Sequence, residues 1–183
     1  VVKEQLRAIE SKLQKLPTAL VFAAAYTNVD GCENDPALCK RINETNTAAV
    51  LDWAHDKDFK IAFYSTDYVF DGTEGPYVET HPRKSLCVYG DSKVFIEEWF
   101  EKQRGAHLVL RTTGVYDYIP GSKNFLMQVL ENLSQKKIMR IPTDQLANPI
   151  WAVELAKATV ELLLKNSSGI FHVAGGEVLP RTE

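Results

Sequence analysis

The sequence lacks the features that mark membrane, secreted and nucleic-acid-binding proteins. Its apolar runs are all shorter than the ~20 residues that cross a bilayer, and its opening VVKEQLRAIE has the pattern of an amphipathic helix and not of a signal peptide. Lys and Arg number 21 against 24 Asp and Glu, and the net charge of -3 comes without a basic stripe. Nucleic acids and anionic membranes are therefore not expected partners.

Cysteine is also scarce. The three cysteines, Cys32, Cys39 and Cys87, show no CxxC spacing, so we expect reduced thiols in a cytoplasmic protein. The four histidines share no spacing typical of metal ligands, and no metal site is predicted. With 183 residues, 45% of them hydrophobic, the chain can bury one sizeable core.

Short apolar strands alternate with amphipathic helices along the whole sequence. ALVFAAA is one such strand, and Asp35-Pro36 has the form of a helix start, an N-cap followed by proline at the first position. This alternation predicts a parallel sheet with helices on both faces. We predict strands at 19–25, 59–65, 107–112, 138–141 and 169–174, and helices at 2–16, 36–54, 89–104, 124–135 and 150–165.

Polar residues follow the second predicted strand where it leaves the core. Ser65, Thr66, Asp67 and Tyr68 stand in succession after the apolar segment 59–63. In open parallel sheets, ligands bind beyond the carboxyl ends of the strands, so this position predicts a binding crevice. The alternative is a strand end whose polar side chains only satisfy loop backbone groups.

The third predicted helix begins with a tyrosine and a lysine four positions apart, Tyr89 and Lys93. Side chains at that spacing share one helix face. A phenol with a pKa of about 10 exchanges protons poorly near neutral pH, and a neighbouring cation favours its phenolate. With Thr66 at the same sheet edge, the pair forms a candidate catalytic set. The alternative is a solvated Tyr-Lys pair, and we expect Glu97 and Glu98 on the exposed side of this helix.

These segments together resemble a known family. S-T-D-Y-V-F-D-G at 65–72, followed by Y-G-D-S-K at 89–93, is similar to the extended short-chain dehydrogenase/reductases, and most closely to the dTDP-4-dehydrorhamnose reductase group. Further segments similar to the family occur in the family's order over nearly the whole chain. They are Ala24–Asp30 with Glu33, Asn43, Leu110-Arg111-Thr112, Asn124-Phe125 and Asp144-Gln145.

The resemblance implies a doubly wound, Rossmann-like α/β fold that binds NAD or NADP. It also implies hydride transfer to a nucleotide-linked 4-keto sugar. In that reaction Tyr89 donates the proton to the keto oxygen, and Lys93 bonds the nicotinamide ribose and eases the transfer. Thr66 donates a hydrogen bond to the same oxygen, where negative charge develops.

The same resemblance implies roles for further residues. Cofactor-binding positions are Ala24, Ala25, Thr27, Asn43 and Ser65, together with Tyr89 and Lys93. Substrate-binding positions are Thr66, Asp67, Tyr68, Asn124 and Gln145. For Asn43, a plain helix asparagine bonded to a neighbouring backbone group remains an open alternative.

The resemblance also divides the chain. Residues 1–117 correspond to an NAD(P)-binding domain without its first βαβ unit. Residues 118–183 correspond to a small substrate-binding lobe, whose strand 169–174 returns to the sheet. The family's glycine-rich turn, which seats the pyrophosphate at a helix N-terminus, does not occur in the sequence. We therefore expect part of a longer protein, with a sheet that is incomplete at its first βαβ unit.

Several points stay open. Ser85-Leu86-Cys87 and Thr113-Gly114 depart from the family's patterns, so the particular sugar does not follow. A sugar-nucleotide epimerase or dehydratase is one alternative, although Tyr68 stands where the dehydratases carry a glutamate. A non-catalytic subunit similar to the regulatory (beta) subunit of methionine adenosyltransferase is another. The sequence fixes neither the choice between NADH and NADPH nor the oligomeric state, for which a homodimer is one arrangement.

Overall fold

A four-stranded parallel sheet forms the centre of the molecule in the computed structural model, which describes residues 2–182. The strands in chain order are β1 (Ala19–Phe22), β2 (Lys60–Thr66), β3 (Leu108–Thr112), β4 (Val115–Tyr116), β5 (Leu146–Ala147), β6 (Ile150–Trp151), β7 (Gly169–His172) and β8 (Leu179–Pro180). The central sheet has the order β1-β2-β3-β7 with every neighbouring pair parallel. The pairs β4-β6 and β5-β8 lie outside it.

Helices connect the strands. They are α1 (Val2–Glu10), α2 (Val29–Asn34), α3 (Pro36–Cys39), α4 (Thr47–His55), α5 (Val88–Lys102), α6 (Phe125–Ser134) and α7 (Ala152–Leu164). A π-helical segment, Lys40–Asn46, joins α3 to α4, and a 3-10 turn, Asp67–Val69, follows β2. No helix within residues 2–182 combines the length and apolar character needed to span a membrane.

Strand β2 shows how the sheet is covered on both faces. Ile61 packs with Leu51 of α4 and Ile96 of α5 in the larger core cluster. The next residue, Ala62, points to the opposite face and belongs to a cluster packed against Leu162 of α7. Successive residues of a strand face opposite sides, so an all-apolar strand is expected between two helical layers. The predicted α/β class with a doubly wound parallel sheet is confirmed.

The first predicted helix is shorter than its apolar period indicates. It ends at Glu10 instead of residue 16, and the Ser11 hydroxyl donates to the carbonyl of Ala8 at 3.0 Å. Leu13 remains 40% exposed. The apolar repeat therefore continues past the point at which the chain packs on the core.

The strand predictions also need two corrections. The prediction of a strand at 138–141 is wrong: Ile138 is 95% exposed, so that segment has no surface to pack against and no neighbouring strand within residues 2–182. The prediction at 19–25 is too long, because pairing with β2 ends where Phe22 lies opposite Phe63. Residues 23–25 continue as irregular chain beyond the sheet.

The loop at 71–86 is fixed to the carboxyl edge of the sheet through Glu79. Its carboxylate accepts a hydrogen bond from the backbone N–H of His172 at 3.0 Å, and its carbonyl accepts one from Arg111 Nη1 at 3.1 Å. The loop thereby contacts both β3 and β7 at the sheet edge where the crevice is predicted.

Candidate active site

Thr66 is the last residue of β2, where the strand meets the crevice. Its side chain is buried, and its hydroxyl accepts a hydrogen bond from the Tyr68 backbone N–H at 3.3 Å, which caps the following 3-10 turn. The same hydroxyl donates to Asp67 Oδ1 at 3.0 Å. Thr66 therefore has a structural role at the strand end. Its hydroxyl can also donate to a bound ligand instead of to Asp67.

Tyr89 lies in the first turn of α5, next to this strand end. Its ring meets the ring of Tyr68 edge-on, with centroids 5.8 Å apart. The following residue, Gly90, allows the close approach, because a Cβ at that position would collide with the Tyr68 backbone carbonyl. The glycine after Tyr89 thus lets the start of α5 approach the end of β2 closely.

Burial raises the pKa of the Tyr89 phenol above its ordinary value of about 10. Its pKa is raised first by burial and then by the negative charge of Asp67, while a hydrogen bond with the Thr66 hydroxyl opposes the rise. A neutral phenol in a buried site is a hydrogen-bond and proton donor. The resting phenol is therefore a weak acid, which gives its proton to a ligand oxygen only as negative charge develops there.

Lys93 is buried one turn along the same helix. Its Nζ donates to the backbone carbonyl of Tyr64 at 2.9 Å and lies 4.6 Å from the ring centroid of Phe63 and 5.9 Å from that of Tyr89. Burial lowers the pKa of Lys93 to about 8, and the nearby charge of Glu97 acts in the opposite direction. Since the ammonium bonds a backbone carbonyl and not the phenol, burial outweighs this cation in its effect on the pKa of Tyr89.

Asn43 connects the start of α5 to the segment that follows β1. Its side-chain amide accepts from the Tyr26 N–H at 2.7 Å and donates to the Tyr26 carbonyl at 3.0 Å. The same amide donates to Ser92 Oγ at 3.2 Å, and Ser92 donates to the Tyr89 carbonyl at 2.6 Å. Asn43 lies in the π-helical segment, a type of distortion frequent at functional sites. Asn43 therefore bonds the backbone of Tyr26, in the segment that follows β1.

Glu97 forms a buried charge network beneath the strand end. It accepts from Ser65 Oγ at 2.5 Å and from Arg111 at 3.0 and 2.6 Å, with a further contact to Arg83 at 3.3 Å. The prediction of an exposed Glu97 is wrong, since the residue is 1% exposed. The Ser65 side chain belongs to this network, so cofactor contact by Ser65 would use its backbone.

The other predicted cofactor positions follow β1 at the same edge of the sheet. Ala24 and Thr27 are exposed and Ala25 is half-buried. Small side chains at a strand's carboxyl end leave room for a ligand to lie against the backbone. Beside them, Asp67 and Tyr68 are also exposed, the latter by 38%.

The predicted substrate residues of the C-terminal lobe have different partners. Asn124 caps α6, accepting from the Met127 N–H at 3.1 Å, so its side chain is engaged in local structure. Gln145 is exposed, and its side chain accepts from Arg181 Nη1 at 2.9 Å. Sequence reasoning missed Arg181, and a lone arginine in a polar terminal segment gives no pattern that would have identified it.

The three cysteines also converge on this region. Cys32 and Cys39 are buried in one cluster with Tyr89, and Cys87 packs against it; all three are free thiols. Burial raises the pKa of Cys32 to about 12. These thiols act as small apolar groups behind the tyrosine.

Thr112, at the end of β3, lies directly opposite Thr66 in the register of the two strands. Among residues 2–182, its hydroxyl is the one buried side-chain oxygen or nitrogen without a hydrogen-bond partner. An unpaired buried hydroxyl costs free energy, and such groups occur where a ligand completes the bonding.

The chain matches one protein family over almost its whole length. A family model described as the RmlD substrate binding domain matches residues 3–183. The dTDP-4-dehydrorhamnose reductase of Burkholderia thailandensis is 35% identical over 167 residues, which cover 86% of this chain and 55% of that protein. The chain thus spans little more than half the length of the curated relatives it matches.

Solved structures show the same fold. A structure from Sulfolobus tokodaii, described as a hypothetical dTDP-4-dehydrorhamnose reductase, superposes with a TM-score of 0.83 at 31% identity, over 99% of this chain and 63% of that one. The dTDP-4-dehydrorhamnose reductase of Bacillus anthracis, solved in complex with NADP, gives a TM-score of 0.85 at 24% identity, over 98% and 61%. At 24% identity, the similarity to the Bacillus anthracis structure shows a shared fold.

Proposed function

Since the chain belongs to the RmlD substrate binding domain family, we propose that the protein is an NAD(P)H-dependent reductase of a nucleotide-linked 4-keto sugar, of the dTDP-4-dehydrorhamnose type. The observation that carries this proposal is that Tyr89 and Thr66 lie buried together where β2 ends, with the Tyr89 ring against Tyr68. Reduction of a ketone needs a proton for the new alkoxide, and this pair offers two hydroxyl donors at one point.

In the proposed reaction, Tyr89 donates its phenolic proton to the keto oxygen as the carbonyl carbon is reduced. Thr66 redirects its hydroxyl proton from Asp67 to the same oxygen and stabilises the developing charge. The phenolate left on Tyr89 lies near the Lys93 ammonium, which stabilises it until a proton returns from solvent.

The residues present fit a nicotinamide cofactor. Lys93 has three N–H donors, and among residues 2–182 only the Tyr64 carbonyl accepts from it, so donors remain for ribose hydroxyls. The unpaired hydroxyl of Thr112 is a further group at the same edge. Bound NADH or NADPH would supply the hydride. Ala24, Ala25 and Thr27 would line its path, with Asn43 holding the backbone of this segment in place.

Of the three alternatives, the dehydratase and the regulatory subunit are less well supported by the residues. A dehydratase needs an acid-base carboxylate where this chain carries Tyr68. Thr66, together with the segment 25–30, favours a reductase over a regulatory subunit of the methionine adenosyltransferase type. An epimerase shares the Tyr and Lys and is distinguished by its product, since it returns the cofactor to its starting state.

We also propose the division at residue 117, a cytoplasmic location and a sugar-nucleotide partner. The free cysteines suit a reducing compartment. Whether the protein forms a homodimer is tested by sedimentation of the full protein.

The test of the function is turnover by the protein. With dTDP-4-dehydrorhamnose and NADPH or NADH, we expect the reduced nicotinamide absorbance to fall in proportion to the alcohol formed, as followed by NMR. Absence of turnover with every 4-keto sugar nucleotide, together with capture of an adenosyltransferase, would favour the regulatory subunit instead.

A further inference from the structure

Arg181 is held in a fixed position at the edge of the substrate lobe. Its backbone N–H donates to the Gln145 carbonyl at 3.1 Å, continuing the antiparallel pairing of β5 with β8. Its Nη1 donates to Gln145 Oε1 at 2.9 Å, and its guanidinium lies 5.3 Å from the ring centroid of Phe125. Backbone, side-chain and ring contacts together restrict the otherwise flexible arginine, so little freedom is left to lose when a ligand binds.

The charge of this guanidinium has no counter-ion within the described chain. No carboxylate of residues 2–182 lies within ion-pair distance of Arg181, and its side-chain partner Gln145 is neutral. A guanidinium carries five N–H donors in a planar fork, and Gln145 uses one of them. The remaining donors are free to bind an anion with two oxygens.

Arg181 also lies within electrostatic reach of the proposed reaction centre. Its positive charge acts on the phenol of Tyr68, which contacts the ring of Tyr89. The carboxylates of Asp67 and Asp30 act on the same phenol with the opposite sign. Around Tyr68 an anionic ligand is therefore repelled by the two carboxylates and attracted by Arg181.

A second positive feature lies next to the guanidinium. Phe125 is the first residue of α6, a ten-residue helix whose N-terminus is capped by Asn124. The N-terminus of a helix carries partial positive charge and favours phosphate groups nearby. The cation and the helix N-terminus therefore favour negative charge at the same place.

We propose that Arg181 binds the diphosphate of the sugar-nucleotide substrate, with Gln145 orienting the guanidinium. This inference rests on the proposed function and deepens it, because it assigns the anionic part of the substrate to one residue. The keto sugar then lies between the diphosphate at Arg181 and the proton donor Tyr89, alongside Tyr68.

The test compares dTDP with thymidine as ligands of the full protein, by calorimetry. Charge-assisted hydrogen bonds contribute roughly 1.5–3 kcal/mol, which corresponds to about 10–150-fold in affinity. We expect Arg181→Gln to weaken dTDP binding by that factor and to leave thymidine and NADPH binding unchanged. Arg181→Lys, which keeps the charge but not the fork, should fall in between. The KM for the keto sugar nucleotide should rise with little change in kcat.

Arg104→Gln is the matched control, since Arg104 is exposed and lines a cavity at the opposite end of the sheet. Wild-type dTDP affinity in Arg181→Gln, in an enzyme that still reduces the sugar, would overturn the inference and leave the proposed function standing. Equal loss for dTDP and thymidine would also overturn it, as would a weakening confined to NADPH, which would assign Arg181 to the cofactor's phosphates. A wild-type protein that neither binds dTDP nor turns over would overturn both proposals.

Discussion

Glu97 of α5 and Arg111 of β3 form a doubly hydrogen-bonded ion pair, in which Arg111 Nε donates to Oε1 at 3.0 Å and Nη2 donates to Oε2 at 2.6 Å. Both side chains are almost fully buried, and Ser65 donates to the same carboxylate. Loss of one member of such a pair leaves the other charged without compensation. The pair therefore fixes the helix that carries Lys93 against the end of β3.

We expect Glu97→Gln to lower the free energy of unfolding by about 3 kcal/mol, because Arg111 would remain buried without its counter-ion. Urea denaturation measures the change. Glu98→Gln, at a half-buried neighbour outside this ion pair, should change it by less than about 0.5 kcal/mol. Equal losses in the two variants would refute the importance of the pair.

Replacement of the proposed proton donor separates chemistry from binding. Tyr89→Phe keeps the ring in its cluster with Cys32 and Cys39 but removes the proton. We expect kcat to fall by about 10²–10⁴-fold with nearly unchanged cofactor affinity. Steady-state kinetics and a cofactor titration decide it, and wild-type activity in this variant would exclude Tyr89 as the acid.

The role of Thr66 is tested by two substitutions of different chemistry. Thr66→Val keeps the shape but removes the hydroxyl, so kcat should fall by about 10–10³-fold through lost stabilisation of the alkoxide. Thr66→Ser keeps the hydroxyl and should retain much of the rate. If both variants behave alike, Thr66 serves only as the strand-end cap.

The buried ammonium of Lys93 is expected to destabilise the fold near neutral pH. With a folded pKa of about 8 against an ordinary 10.5, it is charged in both states below pH 8, so the full cost of burial applies there. Between these values the unfolded chain binds more protons, and stability rises with pH. Lys93→Met should therefore raise the free energy of unfolding at pH 7 by about 1–3 kcal/mol, with a smaller gain toward pH 10, while activity is lost.

Thermal and urea unfolding at the two pH values measure this effect of Lys93→Met. Lys102→Met, at an exposed lysine on the same helix, serves as control and should show no such pH-dependent gain. A destabilised Lys93→Met protein at pH 7 would mean that the hydrogen bond to Tyr64 outweighs the burial of charge.

A histidine pair at the opposite end of the sheet predicts sensitivity to acid. His107 Nε2 lies 3.3 Å from His55 Nδ1, and its Nδ1 accepts from the Ile61 N–H at 3.3 Å. Burial, followed by the charge of His55, lowers the pKa of His107. Below an ordinary pKa of about 6.5 the unfolded chain therefore binds more protons, and stability falls as pH decreases.

His107→Gln should flatten this decrease between about pH 6.5 and 5, as followed by urea denaturation at each pH. Part of the slope should remain, because burial also lowers the pKa of His172. An unchanged slope in His107→Gln would contradict the assignment.

The sequence was informative wherever local pattern and physics agree. The apolar segment of β2 predicted a strand between two helical layers, and the four-residue spacing of Tyr89 and Lys93 predicted a shared helix face. Both expectations depend only on periodicity, which the chain carries locally. The pairing of Thr66 with this helix followed from the rule that strand ends and helix starts meet at one edge of a parallel sheet.

Other features depend on contacts between distant segments and had no local signal. Glu97 reads as a surface residue because its partners, Ser65 and Arg111, lie on two different strands. Ile138 belongs to a β-like stretch with nothing to pack against. Arg181 is held by contacts beside β5 and on α6. Both elements are distant in sequence, so the residues next to Arg181 do not predict these contacts.

The bonds made by Asn43 have a consequence for how the protein folds. Its side chain joins Tyr26, 17 positions before it, to Ser92, 49 positions after it. Closing loops of that length costs entropy, which the bonds of this one side chain help to offset. We expect the proton donor to reach its native position only when the helix after β2 has docked on the segment after β1. During refolding, activity should therefore return no earlier than this docking.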